Sequence, residues 1–240
     1  EEKFGILKEL ILNYGGDLAE EGDFPEEIAK EISVVKGNKI SLEHYYSSCC
    51  PDEVFRQIYQ GYREMCQSRR KLDFDDMILY CYELFVQRKD ILAAWQRKFQ
   101  YILVDEFQDI NQLQYETIKM LAEPENNLFI VGDPDQTIYT WRGANVKYLL
   151  DFDRNFPDVQ TIMMMENYRS TPQILNVANS LISRNLLRMK KDLLPTLPSG
   201  ESVLCYHGQN QEKEAMWMAK EIKKLKEKGV SYKEITILYR

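Results

Sequence analysis

No Gly-x-x-x-x-Gly-Lys-Ser/Thr string occurs anywhere in the 240 residues; Gly37 and Gly229, for example, are followed by Asn38 and Val230. The glycine-rich loop that cradles phosphates on backbone N–H groups, together with its lysine, is therefore missing from this chain. Histidine is nearly missing too, with only His44 and His207, and the five cysteines form an odd set in which only Cys49 and Cys50 are close. That excludes the familiar zinc spacings and points to reduced thiols in a cytosolic protein. No run of about 18 apolar residues and no signal-peptide core is present, so no membrane partner is expected and the expected location is cytoplasmic. Positive charge is in deficit, with 31 Lys and Arg against 38 Asp and Glu, a net charge of −7 and a pI near 5.1. A protein that coats nucleic acid electrostatically is thereby disfavoured, although a local groove can still be basic or aromatic. An initial Met is lacking, and the chain ends on Tyr239-Arg240 directly after an apolar run. An excised segment is expected.

What is present is ordinary globular composition, 44% hydrophobic and 29% charged, long enough for two or more subdomains each with its own core. The organising stretch is Tyr101 to Asn111, in which the apolar run Tyr101-Ile102-Leu103-Val104 ends in Asp105-Glu106. Four apolar residues rich in branched side chains suit a strand covered on both faces, as in parallel α/β sheets, where ligands sit beyond the strands' carboxyl ends. Two acids there could hold Mg²⁺ and deprotonate a water in a nucleoside triphosphatase, or could simply be surface acids.

Residues up to about 98 read as helical. An amphipathic helix over 4–14 stops at Gly15-Gly16; a second starts at Pro25 and runs through Ile28 and Ile32 to Gly37; a third begins near Pro51 with the stripe Phe55, Ile58, Tyr59, Tyr62, Met65 and Cys66. Arg56, Arg63, Arg69, Arg70 and Lys71 give that third segment a basic face, either solvated or DNA-facing. Asp73 is a plausible N-cap of the next helix, with Asp75 and Asp76 in its first turn; capping and a paired-carboxylate metal site both fit these acids. Asp90 is expected to cap the following helix. Asn111 can cap a helix through Leu121, and Leu128–Val131 reads as a second strand delivering Gly132-Asp133-Pro134-Asp135-Gln136 to the same side as Asp105. Tyr139 and Trp141, flanking Thr140 and beside Arg142, suit either core packing or stacking on bases. A third strand is expected over Val159–Met165, then Asn167-Tyr168-Arg169-Ser170 and a helix opened by Thr171-Pro172. Arg169 there could be a surface ion pair or reach a phosphate. Strands over 202–206 and 235–239 around a helix at 211–228 would make a β-α-β unit.

Three separated strings, Val104-Asp105-Glu106-Phe107-Gln108-Asp109, Gly132 through Ala144, and Asn167-Tyr168-Arg169-Ser170, together resemble the motifs of the UvrD/Rep/PcrA-type superfamily 1A DNA helicases. With Asp73-Phe74-Asp75-Asp76 and the final Ile235-to-Arg240 run, the resemblance spans roughly residues 50 to 240; residues 1–50 match the family's helical insertion by position only. The resemblance implies an α/β fold: a RecA-like parallel sheet of the P-loop NTPase type, incomplete, an all-helical N-terminal accessory subdomain, and the start of a second RecA-like sheet. It divides the chain at 1–98 (an edge as early as 72 is possible), 99–166 and 167–240. It implies that Asp105 organises Mg²⁺ with Glu106 beside it, that Glu106 is the general base, that Gln136 contacts the γ-phosphate or its water, and that Arg169 is an arginine finger on the transferring phosphoryl group. Tyr168 would stack on adenine; Tyr139 and Trp141 would stack on single-stranded bases with Arg142 alongside; Gln108 and Asp109 would be coupling residues.

The implied activity is ATP-dependent 3′ to 5′ translocation on single-stranded DNA with unwinding of duplex junctions, in repair or replication. A helicase-like DNA-binding or scaffold subunit, or part of a helicase-nuclease fusion, is the alternative. The family places the phosphate loop before the helical insertion and its last motifs after Arg240, so a central fragment, monomeric in solution, is expected. The isolated 240-residue chain should therefore hydrolyse ATP negligibly. Readily measured Mg²⁺-dependent turnover by the purified chain would overturn that expectation.

Overall fold

A computed structural model of the chain describes residues 2–16, 18 and 22–239. These fall into two compact units, one running through Ile162 and including Asn185–Lys190, the other comprising Met163–Arg184 and the residues from Lys191 onward.

The first unit opens with three helices: α1 (Glu2–Tyr14), α2 (Phe24–Gly37) and α3 (Asp52–Ser68). Their apolar stripes meet in one core that includes Leu7, Ile28, Ile32, Phe55, Ile58 and Tyr62, each nearly or wholly buried. Spacing of three and four residues puts each stripe on one helical face, which is why the periodicity alone located these helices. Helix α1 ends where the Gly15 N–H bonds the Ile11 carbonyl at 2.7 Å. Pro25 sits in the first turn of α2, where its missing N–H costs nothing.

Helix α4 (Phe74–Gln87) starts with a reciprocal capping box: Asp73 accepts from the Asp76 N–H at 2.8 Å, and Asp76 accepts from the Asp73 N–H at 3.2 Å. The same acids hold a buried cation. Lys36 Nζ lies 2.9 Å from Asp73 Oδ2 and 2.6 Å from Asp76 Oδ1, Tyr62 donates to Asp73 at 2.9 Å, and Ser33 donates to Asp75 at 2.6 Å. Of the two readings open for these acids, capping is realised, and a lysine fills the space a metal would need; no group of three or more His, Cys, Asp or Glu side chains placed to hold a metal occurs among the described residues.

Helix α5 (Lys89–Lys98) departs from expectation at its start. Arg88 occupies the N-cap position, and Asp90 lies within the first turn, where it accepts from Arg88 Nε at 2.8 Å and Nη2 at 2.6 Å. A carboxylate favoured by the helix dipole and paired with arginine need not be the cap. Helices α4 and α5 both pack on α6 (Gln112–Ala122), which has its own capping box between Asn111 and Gln114.

Helix α6 connects β1 (Ile102–Val104) to β2 (Leu128–Ile130) in a parallel pair, Ile102 opposite Leu128 and Val104 opposite Ile130. One face of this pair packs on Phe107, Ile110, Leu149 and Phe152, the last two from the short helices α7 (Lys147–Leu150) and α8 (Phe152–Asn155). The other face is open: Leu103 is 74% exposed and Phe129 58%. The expected cover on both faces is thus realised on one, because no described element lies against the second.

In the second unit, β3 (Glu166–Asn167) pairs in parallel with β4 (Leu194–Pro195), with α9 (Pro172–Ile182) between them and α10 (Gln211–Glu227) following. The strands expected over Val159–Met165, 202–206 and 235–239 are not formed; these residues are irregular, with Met164, Leu204 and Leu238 strongly exposed. A branched apolar run favours extended backbone, yet a strand exists only where a neighbour accepts its N–H groups. Here only the two residues after Met165 find such a neighbour. The architecture is α/β, helix-rich with small parallel sheets. None of the described helices is long and apolar enough to cross a membrane.

The Lys36 cluster generates a stability prediction. Burial by itself would raise the Asp73 carboxyl, but hydrogen bonding and charge from Lys36, helped by the Asp76 N–H and Lys3, hold it down at about 2. Burial would likewise lower Lys36, and its hydrogen bonds to Asp76 and Asp73 leave it raised instead. A carboxyl depressed on folding contributes stability that is present above its unfolded value near pH 4 and lost as pH falls through about 2. Stability should therefore decline from about pH 4 to about pH 2, less steeply in Asp73→Asn. Lys36→Ala, which strands two buried acids, should cost about 3–5 kcal/mol in denaturant unfolding at neutral pH.

Candidate functional site

The β1 chain turns sharply after Val104 because Phe107, wholly buried, is drawn into the core beneath the sheet. Its ring meets Phe152 edge-on at 5.6 Å and Tyr115 at 6.3 Å. The turn falls on Asp105 and Glu106, which stay exposed at the strand's end. Glu106 takes left-handed backbone angles, φ 51° and ψ 42°, a conformation that costs a non-glycine residue about 1–3 kcal/mol. Two main-chain bonds hold it there: Val131 N to Val104 O at 2.8 Å and Phe107 N to Val131 O at 2.9 Å. Together they extend the ladder beyond both strands and fasten the two strand ends side by side.

Gln108 joins those ends through its side chain. It is 1% exposed; its amide nitrogen donates to Glu106 Oε2 at 2.7 Å and, at 3.4 Å, to Asp109 Oδ2, while its oxygen accepts from the Asp133 N–H at 3.0 Å. Asp133 in turn accepts from Gln136 Nε2 at 2.9 Å. A continuous hydrogen-bond path therefore runs Glu106, Gln108, Asp133, Gln136. Gly132 makes this approach possible, since a Cβ there would stand 2.8 Å from Gln108 Oε1 and 3.1 Å from Leu149. Asp109 Oδ1 is buried without a hydrogen-bond partner among the described residues, and burial together with the neighbouring Glu106 charge pushes the Asp109 carboxyl upward. Asp105 spends one oxygen on the Glu106 N–H at 2.9 Å.

Beyond Gln136 the loop carries Tyr139 and Trp141, ring centroids 6.1 Å apart and tilted 55°. The Arg142 guanidinium lies 5.1 Å from the first ring and 4.6 Å from the second. Trp141 is 45% exposed. Gly143 closes the loop with φ 85°, a left-handed value that glycine adopts freely. Motif reading missed one anchor of this region: Arg188 Nη2 lies 3.2 Å from Asp135 Oδ2, both side chains at least 90% buried. Fifty-three positions separate the pair, and nothing local to Arg188 announces it.

The second unit carries Tyr168 and Arg169, both exposed, in a turn just after β3. Asn167 Oδ1 builds that turn, accepting from the Arg169 N–H at 3.0 Å and the Ser170 N–H at 2.8 Å. Tyr168 donates to Glu166, whose carboxylate pushes the phenol upward. Thr171 stands at the N-cap of α9 without a capping side-chain bond; Pro172 in the first turn supplies the helix start. The structure thus gathers Glu106, Gln108, Asp109 and Gln136 with Asp105 beside them, lines up Tyr139, Trp141 and Arg142 on the same loop as Gln136, and sets Tyr168 and Arg169 in the other unit.

The sequence model of the UvrD/REP helicase N-terminal domain matches residues 2–157, and that of the UvrD-like helicase C-terminal domain matches 162–240. The chain belongs to the UvrD/REP helicase family. Among curated relatives, a probable DNA helicase II homolog of Mycoplasma capricolum is 42% identical over 186 residues, which is 78% of this chain and 26% of that protein. ATP-dependent DNA helicase PcrA of Staphylococcus epidermidis and of Staphylococcus aureus is 42% identical over 183 residues, 76% of this chain and 25% of each relative. The chain spans about a quarter of the length of the curated relatives it matches.

The Gln108 contact is directly testable in this UvrD/REP family chain. Gly132→Ala must displace the Gln108 oxygen and should cost about 1–3 kcal/mol by chemical denaturation. Gln108→Leu strips the Asp133 N–H of its acceptor and should cost a similar ~1–3 kcal/mol. Because both substitutions break one contact, the double variant should lose less than the sum of the two.

Proposed function

We propose that this chain is part of an ATP-dependent DNA helicase that couples ATP hydrolysis to 3′ to 5′ movement on single-stranded DNA and to unwinding of duplex junctions, in repair or replication. The observation that carries the reading is the path from Glu106 through Gln108 and Asp133 to Gln136, on the same loop as Tyr139 and Trp141. A module that only bound DNA would have no use for a buried amide joining an acid at a strand end to an aromatic loop. In this reading residues 1–98 form the helical accessory part, 99–166 the second part of one motor domain, and 167–240 the start of the next.

Asp105 and Glu106 offer hard carboxylate oxygens, each residue with one oxygen outside the hydrogen bonds above. That donor set fits Mg²⁺, which is held by one or two carboxylates and otherwise by water and substrate phosphates. Bound there, the ion would neutralise charge on the phosphates. Glu106 takes the proton of the attacking water, and its backbone and its Gln108 hydrogen bond fix the direction in which the carboxylate faces. Gln136 senses the γ-phosphate or its water, and any shift in its side chain is transmitted through Asp133 and Gln108 to Glu106. Asp109, buried beside Glu106, keeps that amide oriented. Arg169 stabilises negative charge on the transferring phosphoryl group, and Tyr168 offers an exposed ring to adenine. Tyr139 and Trp141 stack on successive bases, each stack worth about 1–3 kcal/mol without demanding a sequence, with Arg142 adding charge.

In the full-length protein, Glu106→Gln should lower single-stranded-DNA-stimulated ATP turnover by about 10²- to 10⁴-fold. Arg169→Ala should lower it by about 10³- to 10⁵-fold, with ATP binding largely retained. Steady-state ATPase assays with and without oligonucleotide check both, and wild-type turnover in either variant would remove that residue from its role.

A further inference from the structure

Helix α2 lies in the part of the chain that carries none of the recognised motifs, yet it packs along the loop Thr140–Arg142. Two contacts set its register. At its C-terminal end Asn38 meets Gly143 so closely that a Cβ there would stand 2.2 Å from Asn38 Nδ2. The same Asn38 accepts from the Gln112 N–H at 3.3 Å and donates to the Val34 carbonyl at 3.2 Å, tying α2 to the start of α6. Eight residues earlier, about 12 Å along the helix, Lys30 Nζ lies 5.8 Å from the Trp141 ring centroid. The flanking Ile28, Ala29 and Ile32 are buried in the helical core, so Lys30, itself exposed, is carried on a fixed element. No ion pair joins it to Glu26 or Glu27 among the described residues; the ring is its neighbour. Trp141 is thus flanked by two cations from separate elements, Arg142 on its own loop and Lys30 on α2. In a chain of net charge −7, paired cations around an exposed aromatic are a local exception that suits a polyanion with stacking bases.

We infer that Lys30 is an additional nucleic-acid contact, neutralising a backbone phosphate of the single strand whose base stacks on Trp141, so that α2 takes part in gripping the strand. This rests on the base-stacking role of Trp141. Lysine acts here as a point charge, without sequence preference, and its removal should show as lost salt dependence.

The test is equilibrium binding of the full-length protein to an oligo-dT strand across a salt series, for wild type, Lys30→Ala, Lys30→Arg, Lys30→Glu and Trp141→Ala. Lys30→Ala should weaken binding several-fold at low salt and make the plot of log affinity against log salt shallower by about 0.7, the share of one phosphate contact on a single strand. Lys30→Arg should restore the slope, and Lys30→Glu should bind more weakly than Lys30→Ala. If Trp141→Ala weakens binding while Lys30→Ala leaves affinity and slope unchanged, the inference fails and the aromatic loop stands. Tighter binding by Lys30→Ala would equally overturn it, showing that the ammonium covers the ring. Wild-type binding by Trp141→Ala would remove the stacking role itself, and the inference with it.

Discussion

The buried amide of Gln108 is the constraint on which the candidate site depends. Two strand ends come together at the rim of a sheet that is two strands wide among the described residues, where little packing is available to align them. A primary amide has a donor and an acceptor at opposite corners and can bridge an acid on one strand end to a backbone N–H on the other. Once buried, it cannot relinquish either bond without leaving an unsatisfied polar group, so the alignment is enforced by the cost of breaking it. Phe107 supplies the complementary pull: its burial offsets the left-handed backbone at Glu106 and leaves the two acids projecting from the strand's end.

The helical layer is fastened on the same principle, a polar group whose burial tolerates one arrangement. Lys36 reaches from α2 to the first turn of α4 and is met by both members of its capping box. The acids that start α4 are thereby also the counter-charges that fix α2, and α2 in turn backs the loop of Tyr139 and Trp141. A part of the chain without motifs thus determines how the aromatic loop is presented, through Asn38 against Gly143 and Lys30 beside Trp141.

Much of this was legible in the residues themselves. Helices α1, α3 and α6 follow from apolar spacing, from Gly15 and from the Asn111 cap, all local signals. The acids after β1 and the loop after β2 were readable because a parallel pair joined by one helix must bring both carboxyl ends to the same side. Asp90 misled because a first-turn acid and an N-cap acid look alike until Arg88 is seen holding it. The apolar runs at 159–165, 202–206 and 235–239 misled for a different reason: strand formation depends on a neighbour, and composition describes only the run itself.

The sequence by itself determined the family, the residue types at Asp105, Glu106, Gln136 and Arg169, and the lack of a Gly-x-x-x-x-Gly-Lys-Ser/Thr string within these 240 residues, because each depends on residue types in a contiguous order. Tertiary structure alone decided that Gln108 bridges Glu106 to Asp133, that Arg188 pairs with Asp135, that Lys36 rather than a metal sits among the acids of α4, and that Lys30 stands beside Trp141. All four join positions 25 to 111 residues apart in the chain or, for Gln108, turn on which way a buried side chain points. Distances of that kind are set by packing, which no local pattern encodes.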